Sequence, residues 1–215
     1  MKLVLVVAHP DDEVYGAAGT ILDLLESGEE VGIVTLTQGE RGRTLGLVQT
    51  PEQLAQLRAG PGGELQTCLQ LLGVRNHRQF RYPDGALAQV PEQEALAALC
   101  PVLAEWSPQI LLTFPPDGGN GHPDHVAASQ LARAAFERVG RPGKLWYYTR
   151  PGGEPAGRLF RDVSHQVVTK LRAIAAHRSQ ALSTVDFLRR AAERIVLESF
   201  EQAFPPLAEG ESATL

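Results

Sequence analysis

Two short segments of the chain combine histidine with carboxylate side chains. Imidazole and carboxylate groups are good ligands for Zn²⁺, and a hydrolytic zinc site needs three protein ligands and one open position for water. The two segments supply more than three such groups, which leaves the others for acid–base work. We therefore predict one divalent metal ion per chain, Zn²⁺ or else Fe²⁺ or another ion that accepts nitrogen and oxygen ligands. The residues are His9, Asp11, Asp12 and Glu13 in the first segment and His122, Asp124 and His125 in the second.

Each segment directly follows an apolar run that is typical of a strand buried on both faces. These runs cover residues 2–8 and 109–114, and a third lies at 30–37, beyond a helix-like stretch. A strand–helix–strand unit of this kind implies parallel strands, and ligands of parallel α/β sheets bind beyond the carboxyl ends of the strands. The two segments are therefore expected to face each other at one edge of the sheet.

The remaining patterns complete an α/β fold. We predict a Rossmann-like three-layer sandwich, with a mainly parallel sheet between two layers of helices and the site at the carboxyl ends of the strands. Pro101 lies inside one of the helices, where we expect a kink or a restart. Further strands are predicted at 144–149 and 159–163, helices at 16–28, 51–73 with a break at 60–63, 91–106, after 125, 164–177 and 184–202, and loops at 38–50 and 80–89.

Length and composition limit the classes of protein that fit. The 215 residues predict a single domain over 1–215, with a core at 1–150, a C-terminal strand and helices at 151–203 and a frayed tail at 204–215. A net charge of −5 and a pI near 5.7 argue against a nucleic-acid partner, which needs a basic face. No apolar run is long enough to span a membrane, and two cysteines cannot build a disulfide framework. We expect a cytoplasmic location and a small-molecule partner.

Six stretches carry a resemblance that covers roughly residues 1–180: AHPDDE at 8–13, TLTQGERG at 35–42, ELQTCLQLLGV at 64–74, YPDG at 82–85, HPDH at 122–125 and KLRAIAAHRSQ at 170–180. In the same order they resemble landmarks of the zinc-dependent N-acetylglucosaminyl deacetylases of LmbE and PIG-L type. That family includes the deacetylases of mycothiol and bacillithiol biosynthesis. AHPDDE after a hydrophobic strand is a specific signal, and HPDH strengthens it.

The resemblance implies roles for the polar residues of the two segments. Zinc would be held by His9, Asp12 and His125, and Asp11 would act as the general base. A cationic His122 would stabilise the oxyanion that forms when the acetamide carbonyl is attacked. The departing amine needs a proton, and the sequence leaves open whether Asp11 or His122 donates it.

Three further residues receive supporting roles from the same resemblance. Asp124 would support the His122 imidazole. Glu13 is expected to form a hydrogen bond beside the site rather than to bind the metal itself, because ligands need orienting partners. His177 matches a family landmark near the site, although a histidine at a helix C-terminus would equally suit the helix dipole.

Substrate contacts are assigned to the loops after the strands. Glu40 and Arg41 lie in a stretch that resembles the family's substrate-contacting segment, although a solvated charge pair would fit the same residues. Asp84 would bind a sugar hydroxyl, but Pro-Asp-Gly also favours a turn by itself.

The chain departs from the family pattern at one position. The family usually carries an arginine three residues before the glutamate that corresponds to Glu64, and Pro61 stands there in this chain. Arg58, one turn earlier, is the candidate replacement for substrate binding. The glycine-rich interruption at 60–63 leaves the direction of its side chain open.

Together these features predict a metal-dependent hydrolase that removes the N-acetyl group from an N-acetylglucosamine-type amino sugar or its glycoside. An amidase of a thiol conjugate of the same sugar class is the alternative within the hydrolases. A non-catalytic Rossmann-like nucleotide-binding or sensor module fits less well, since the turn after the first strand carries three carboxylates instead of a glycine-rich loop. The resemblance also implies a homo-oligomer.

Overall fold

A mainly parallel sheet forms the centre of the fold. The computed structural model describes residues 1–149, 158–208, 211 and 213–214. The strands are β1 (Leu3–Val7), β2 (Val31–Thr37), β3 (Asn76–Tyr82), β4 (Ile110–Thr113), β5 (Lys144–Tyr148), β6 (Arg158–Asp162) and β7 (Leu197–Phe204). They make a seven-stranded sheet in the order β3-β2-β1-β4-β5-β7-β6, in which β7 runs against its two neighbours.

Helices cover both faces of this sheet. Right-handed crossovers place α1, α2 and α3 on one face and α4 and α5 on the other, because the chain moves outward from β1 in opposite directions. α6 packs on the first face, against α1 and α3. The helices are α1 (Asp12–Glu26), α2 (Pro51–Ala59), α3 (Glu64–Leu72), α4 (Glu92–Trp106), α5 (Pro123–Arg138), α6 (Val167–Ala176) and α7 (Ala181–Ala191).

β1 and its neighbour β2 are buried along their whole length. Every residue of β1 and of β2 is buried. Strands covered by helices on both sides need apolar side chains throughout, which explains why these segments lack a polar alternation. β1 lies between β2 and β4, so its carboxyl end opens at the middle of the sheet edge. The predicted α/β fold and its parallel core are confirmed.

Two predicted elements are wrong. β3 begins at Asn76 and ends at Tyr82, where the prediction placed a loop from residue 80 onward. This edge strand is polar and half-buried, so it lacks the apolar run that marks the inner strands. The helix predicted at 184–202 fails beyond Ala191, because Leu197–Phe204 forms β7 between β5 and β6. Pairing and packing outweigh helix propensity there, with the Trp146 and Phe200 rings stacked at 5.9 Å.

The other predicted elements are found with shifted ends. α1 begins at Asp12, four residues before the predicted start, so the acidic cluster forms its first turn. The predicted break at 60–63 separates α2 from α3. Pro101 is accommodated inside α4, which continues to Trp106 without a restart.

The C-terminal segment is described only in part. The predicted boundary at residues 150–151 lies outside the described residues. Where it is described, the tail packs on the fold: Ala213 is buried, and Lys144 Nζ donates a hydrogen bond to the Thr214 carbonyl at 2.8 Å. Within the described ranges, no helix is both long and apolar enough to cross a bilayer.

Candidate active site

His9 follows β1 directly and is held from both ring nitrogens. Its Nε2 lies 3.1 Å from Asp124 Oδ2 and 3.1 Å from Asp84 Oδ1. Because ionised carboxylates only accept hydrogen bonds, Nε2 carries the proton and Nδ1 faces Asp12 Oδ2 at 3.4 Å. Burial alone would lower the pKa of His9, but hydrogen bonds to these three carboxylates raise it well above its ordinary value. The ring is therefore oriented with Nδ1 toward Asp12.

Asp12 connects His9 to His125. Its Oδ1 lies 3.2 Å from His125 Nε2, and its Oδ2 accepts the backbone N–H of His9 at 2.7 Å. Burial would raise the pKa of Asp12, but the two imidazoles hold it well below its ordinary range. The His125 ring stacks on Phe114 with centroids 4.0 Å apart and planes at 8°, and its Nδ1 lies 3.3 Å from the Gly118 carbonyl. These contacts fix the plane of His125.

The spacing of these groups suits a small divalent cation. Zinc–ligand bonds of about 2.0–2.1 Å at tetrahedral angles place neighbouring ligand atoms about 3.3 Å apart. His9 Nδ1 lies 3.4 Å from Asp12 Oδ2, and His125 Nε2 lies 3.2 Å from the other oxygen, Asp12 Oδ1. Ligand atoms of His9, His122 and His125 also lie within 4.8 Å of one another. Groups of His and Asp side chains that could hold a metal ion, His9 with His122 and His125 and His9 with Asp84 and Asp124, thus lie at the predicted edge of the sheet.

His122 caps the N-terminus of α5 and is exposed to solvent. Its Nδ1 accepts the backbone N–H of Asp124 at 3.2 Å, and its ring meets that of His9 edge-on at 4.8 Å. Burial of the ring and the nearby positive charges of His9 and His125 lower the pKa of His122. The sequence prediction used a cationic ring, whereas this environment favours a neutral one with its proton on Nε2.

The Asp124 carboxylate does not contact His122, contrary to the prediction. It is fully buried and accepts the backbone N–H groups of Gly85 at 2.6 Å and Leu87 at 3.1 Å, in addition to its contact with His9. Only the backbone of Asp124 supports His122. The reason is the position of Asp124 in the first turn of α5, which directs its side chain into the fold toward the loop after β3.

Asp11 is buried beside this His/Asp group. Its Oδ2 lies 3.3 Å from a guanidinium nitrogen of Arg58, and its backbone N–H donates to Glu13 Oε2 at 2.9 Å. The residue adopts φ 123°, a conformation that L-residues rarely occupy and that costs of order 1–3 kcal/mol. Burial raises the pKa of Asp11 to about 6, with the Arg58 charge opposing the rise and the Asp12 charge adding to it.

Glu13 and His177 form a buried pair behind Asp11. His177 Nε2 lies 2.8 Å from Glu13 Oε1, and the Cys68 thiol donates to the same oxygen at 3.3 Å. Burial would raise the pKa of Glu13, but the His177 imidazole lowers it; conversely Glu13 raises the pKa of His177 against burial. Glu13 is thus engaged with His177, Cys68 and the backbone of Asp11.

Arg58 lies inside the loop network rather than in an open cleft. Its side chain is 3% exposed, and it donates to the backbone carbonyls of Gly39 and Pro10 as well as pairing with Asp11. Gly39 has φ +66°, and a Cβ there would overlap the guanidinium, so only glycine fits. Arg58 therefore reaches the site from α2, but it contacts Asp11 and the backbone instead of presenting donors to solvent.

A family model described as PIG-L, GlcNAc-PI de-N-acetylase, matches residues 4–136, more than half of the chain. The chain belongs to the PIG-L family. The match contains both histidine–carboxylate segments and ends within α5.

Sequence relatives and solved structures agree with this membership. The chain is 34% identical over 191 residues to a 1D-myo-inositol 2-acetamido-2-deoxy-alpha-D-glucopyranoside deacetylase of Mycobacterium sp. (strain KMS), an alignment that covers 77% of this chain and 60% of that protein. It superposes on the conserved protein TT1542 from Thermus thermophilus with TM-score 0.77 and 27% identity, and the match covers 99% of this chain and 100% of the other. It also superposes on N,N'-diacetylchitobiose deacetylase from Pyrococcus horikoshii with TM-score 0.76 and 25% identity. That match covers 94% of this chain and 83% of the other. The chain spans 53% and 60% of the first two curated relatives it matches.

The PIG-L residues predicted to contact substrate lie together near His9. Asp84 is buried; one oxygen contacts His9 and the other accepts the backbone N–H of Arg41 at 2.7 Å. Burial would raise the pKa of Asp84, but His9 lowers it to about 2. Glu40 Oε1 accepts the backbone N–H of Asp84 at 2.8 Å, while the Arg41 side chain is exposed. Asp84 thus contacts His9 and the backbone of the loop after β2, so its role is not limited to favouring a turn.

Two contributors to this PIG-L site were not assigned from the sequence. Phe114 supports His125 by stacking, and it could have been found as the aromatic residue that ends a buried strand beside the second segment. Glu64 accepts hydrogen bonds from the backbone N–H and hydroxyl of Ser179 at 2.9 and 2.6 Å. That contact ties α3 to the segment after α6 and so holds His177 against Glu13. No local pattern signals it.

Proposed function

We propose that the protein is a Zn²⁺-dependent hydrolase that removes the N-acetyl group from an N-acetylglucosamine-type amino sugar or its glycoside. The observation that carries the proposal is the buried Asp11 carboxylate, with its pKa near 6, beside the group formed by His9, Asp12 and His125. The names of the relatives support the class of substrate, since they describe deacetylases of acetamido sugars.

His9, Asp12 and His125 would hold the metal. Two imidazole nitrogens and one carboxylate are a ligand set found at hydrolytic zinc sites, and the Asp12 carboxylate faces His9 Nδ1 with one oxygen and His125 Nε2 with the other. When bound, zinc would lower the pKa of a water molecule toward about 7 and polarise the acetamide carbonyl. Asp84 and Asp124 keep His9 Nε2 protonated, so that Nδ1 is the nitrogen available to the metal.

Asp11 would take the proton of the attacking water and return it to the departing amine. A carboxylate with a pKa near 6 is ionised at neutral pH yet close enough in basicity to exchange a proton in both directions. Its backbone is fixed by Glu13, whose own position depends on His177. This proposal assigns to Asp11 the proton donation that the sequence left open.

His122 would stabilise the oxyanion as a neutral donor. Because Nδ1 already accepts the Asp124 N–H, the neutral ring carries its proton on Nε2 and can donate it as a hydrogen bond. The exposed position of His122 at the start of α5 lets a substrate carbonyl approach it. A ring held this way has no second proton to give, which again favours Asp11 as the acid.

The test is free-amine release from N-acetylglucosamine, its inositol glycoside and chito-oligosaccharides, with and without a chelator. We expect about one zinc per chain, loss of activity on chelation and its return with Zn²⁺. His125→Ala should lose both metal and activity, whereas His165→Ala is the matched control, since that ring is exposed and bonded to Asp23 on the surface. Full activity in metal-free protein would overturn the proposal.

A further inference from the structure

Glu13, Cys68 and His177 form a buried group of side chains behind Asp11, the proposed general base. Glu13 lies in the first turn of α1, Cys68 lies in α3, and His177 directly follows α6. All three are at most 1% exposed, and one ligand atom from each lies within 4.8 Å of the other two. Thiolate, imidazole and carboxylate are the ligands that bind Zn²⁺ in proteins, so the group has the composition of a metal site. It shares no residue with the three proposed zinc ligands.

The distances within the group are close to those of a tetrahedral site. Cys68 Sγ lies 3.3 Å from Glu13 Oε1, and His177 Nε2 lies 2.8 Å from the same oxygen. Zinc bonds of about 2.3 Å to sulfur and about 2.0–2.1 Å to nitrogen and oxygen place sulfur about 3.5 Å, and nitrogen about 3.3 Å, from the oxygen. The sulfur–oxygen pair already has nearly this spacing, and the nitrogen–oxygen pair would widen by about 0.5 Å. A cation could therefore replace the two hydrogens that now join these atoms.

Glu13 only accepts hydrogen bonds within this group. Its Oε1 accepts from the Cys68 thiol and from His177 Nε2, and its Oε2 accepts the backbone N–H of Asp11 at 2.9 Å. An ionised carboxylate has no proton to donate, so the Cys68 sulfur and His177 Nε2 both carry one. Burial would lower the pKa of His177, but the Glu13 charge raises it, so the ring is a cation and the group is neutral. A divalent cation that displaces both protons keeps it neutral, which avoids burying an unpaired charge.

The cationic form of His177 leaves one of its donors unsatisfied. Nε2 donates to Glu13, but Nδ1 is buried and has no hydrogen-bond partner among the described residues. A buried donor without a partner is destabilising, and more so on a charged ring. A ring that gives up its Nε2 proton and binds a metal through that nitrogen is neutral, with its remaining proton on Nδ1. Metal binding would therefore remove the positive charge from a ring that is incompletely hydrogen-bonded.

We propose that Glu13, Cys68 and His177 form a second metal site, which contains a thiolate and takes Zn²⁺ or another thiophilic divalent cation. The Cys68 sulfur and His177 Nε2 each lose a proton as they bind the ion, so two protons leave for each cation that enters. Glu13 binds through Oε1 and keeps Oε2 on the backbone N–H of Asp11. Because both protons must leave a buried group, this site fills slowly and only after the first site. Its sulfur ligand selects against Mg²⁺ and Ca²⁺.

Addition of excess Co²⁺ to the protein as purified tests the site, because a thiolate bound to Co²⁺ gives a near-ultraviolet charge-transfer absorption that imidazole and carboxylate ligands do not give. We expect this absorption to grow slowly, with the uptake of about one Co²⁺ and the release of about two protons per chain. Cys68→Ser keeps a donor to Glu13 but removes the thiolate, so the absorption and the additional uptake should be lost. Cys100→Ser should keep both, and it is the matched control because Cys100 is the other free cysteine and lies in α4.

His125→Ala separates this inference from the proposed deacetylase function. The variant should keep the thiolate absorption, although it lacks a ligand of the first site. Absorption that depends on Cys68 supports the second site even where the wild type releases no amine, a result that would overturn the deacetylase function alone. A wild-type protein that takes up no Co²⁺, or takes it up without this absorption, overturns the second site and leaves the deacetylase function standing. Absorption that persists in Cys68→Ser and disappears in Cys100→Ser also overturns it, since the thiolate would then lie in α4.

Discussion

The Asp11 carboxylate lies 3.3 Å from the Arg58 guanidinium, and both side chains are buried. Arg58 is otherwise bonded to the carbonyls of Gly39 and Pro10, so it is fixed in place by the loops on either side of the site. A buried positive charge at this distance favours the ionised carboxylate and offsets part of the effect of burial. Arg58 therefore sets how basic Asp11 can become.

Replacing Arg58 should move the acid limb of the pH profile. A general base works only when deprotonated, so kcat/KM should fall as the pH drops below the pKa of Asp11, about 6. Arg58→Gln removes a charge that lowers this pKa, so the limb should shift to higher pH by about one unit. The measurement is kcat/KM against pH, with the exposed Arg133→Gln as control. A shift to lower pH would contradict the assignment of Asp11 as base.

Asp11→Asn should separate metal binding from turnover. The substitution keeps the size of the side chain and leaves His9, Asp12 and His125 in place, so zinc content should stay near one per chain. Loss of the base should lower kcat by about 10²–10⁴. Metal analysis and steady-state kinetics on the same preparation check both halves. A variant that loses its zinc but keeps turnover when zinc is supplied would place Asp11 among the ligands instead.

His122→Ala should lower kcat with little change in metal content. Removal of an oxyanion donor costs about 10²–10³ in kcat. His122→Gln retains a donor near the same position and should recover part of that loss. An unchanged kcat in both variants would show that His122 takes no part in the reaction.

The sequence predicted the position of the site because its determinants are local. His9 and Asp12 follow a buried strand that must lie inside the sheet, and His122 and His125 follow another. The parallel arrangement then brings both strand ends to one edge. Each motif lies within a few residues of the strand that positions it, so the local sequence pattern and the family resemblance suffice to predict where the site lies.

The partners of these residues could not be predicted in the same way. Asp124 contacts His9, 115 positions away, and Glu64 contacts Ser179, also 115 positions away. Such contacts depend on how whole elements pack rather than on nearby residues. The same holds for β7, where Glu198 and Ser199 are fully buried inside the sheet although their types are typical of a surface helix.

The buried pair of Lys170 and Glu198 should contribute strongly to stability. Lys170 Nζ lies 2.6 Å from Glu198 Oε1, and the same carboxylate accepts the backbone N–H groups of Gly19 and Thr20 inside α1. Lys170→Met would leave a buried charge without its partner, so the free energy of unfolding should fall by about 3–5 kcal/mol.

Chemical denaturation of matched variants tests this pair. Lys170→Met combined with Glu198→Gln removes both charges and should recover part of the lost stability. Arg133→Met breaks an exposed pair with Glu137 and should cost less than about 1 kcal/mol. Similar small losses of unfolding free energy in Lys170→Met and Arg133→Met would show that the buried pair contributes no more to stability than the exposed one.

Asp124→Asn should weaken metal binding without touching a ligand. Asp124 Oδ2 lies 3.1 Å from His9 Nε2, and the carboxylate keeps that nitrogen protonated so that Nδ1 faces Asp12. An amide can present its NH₂ group to the ring, which would favour the wrong tautomer, and partners of this kind typically affect metal affinity by about 10–100-fold. Competition with a chromophoric chelator measures the affinity. Asp117→Asn, at an exposed position before the same helix, is the control, and equal zinc affinity in both variants would show that His9 is oriented without Asp124.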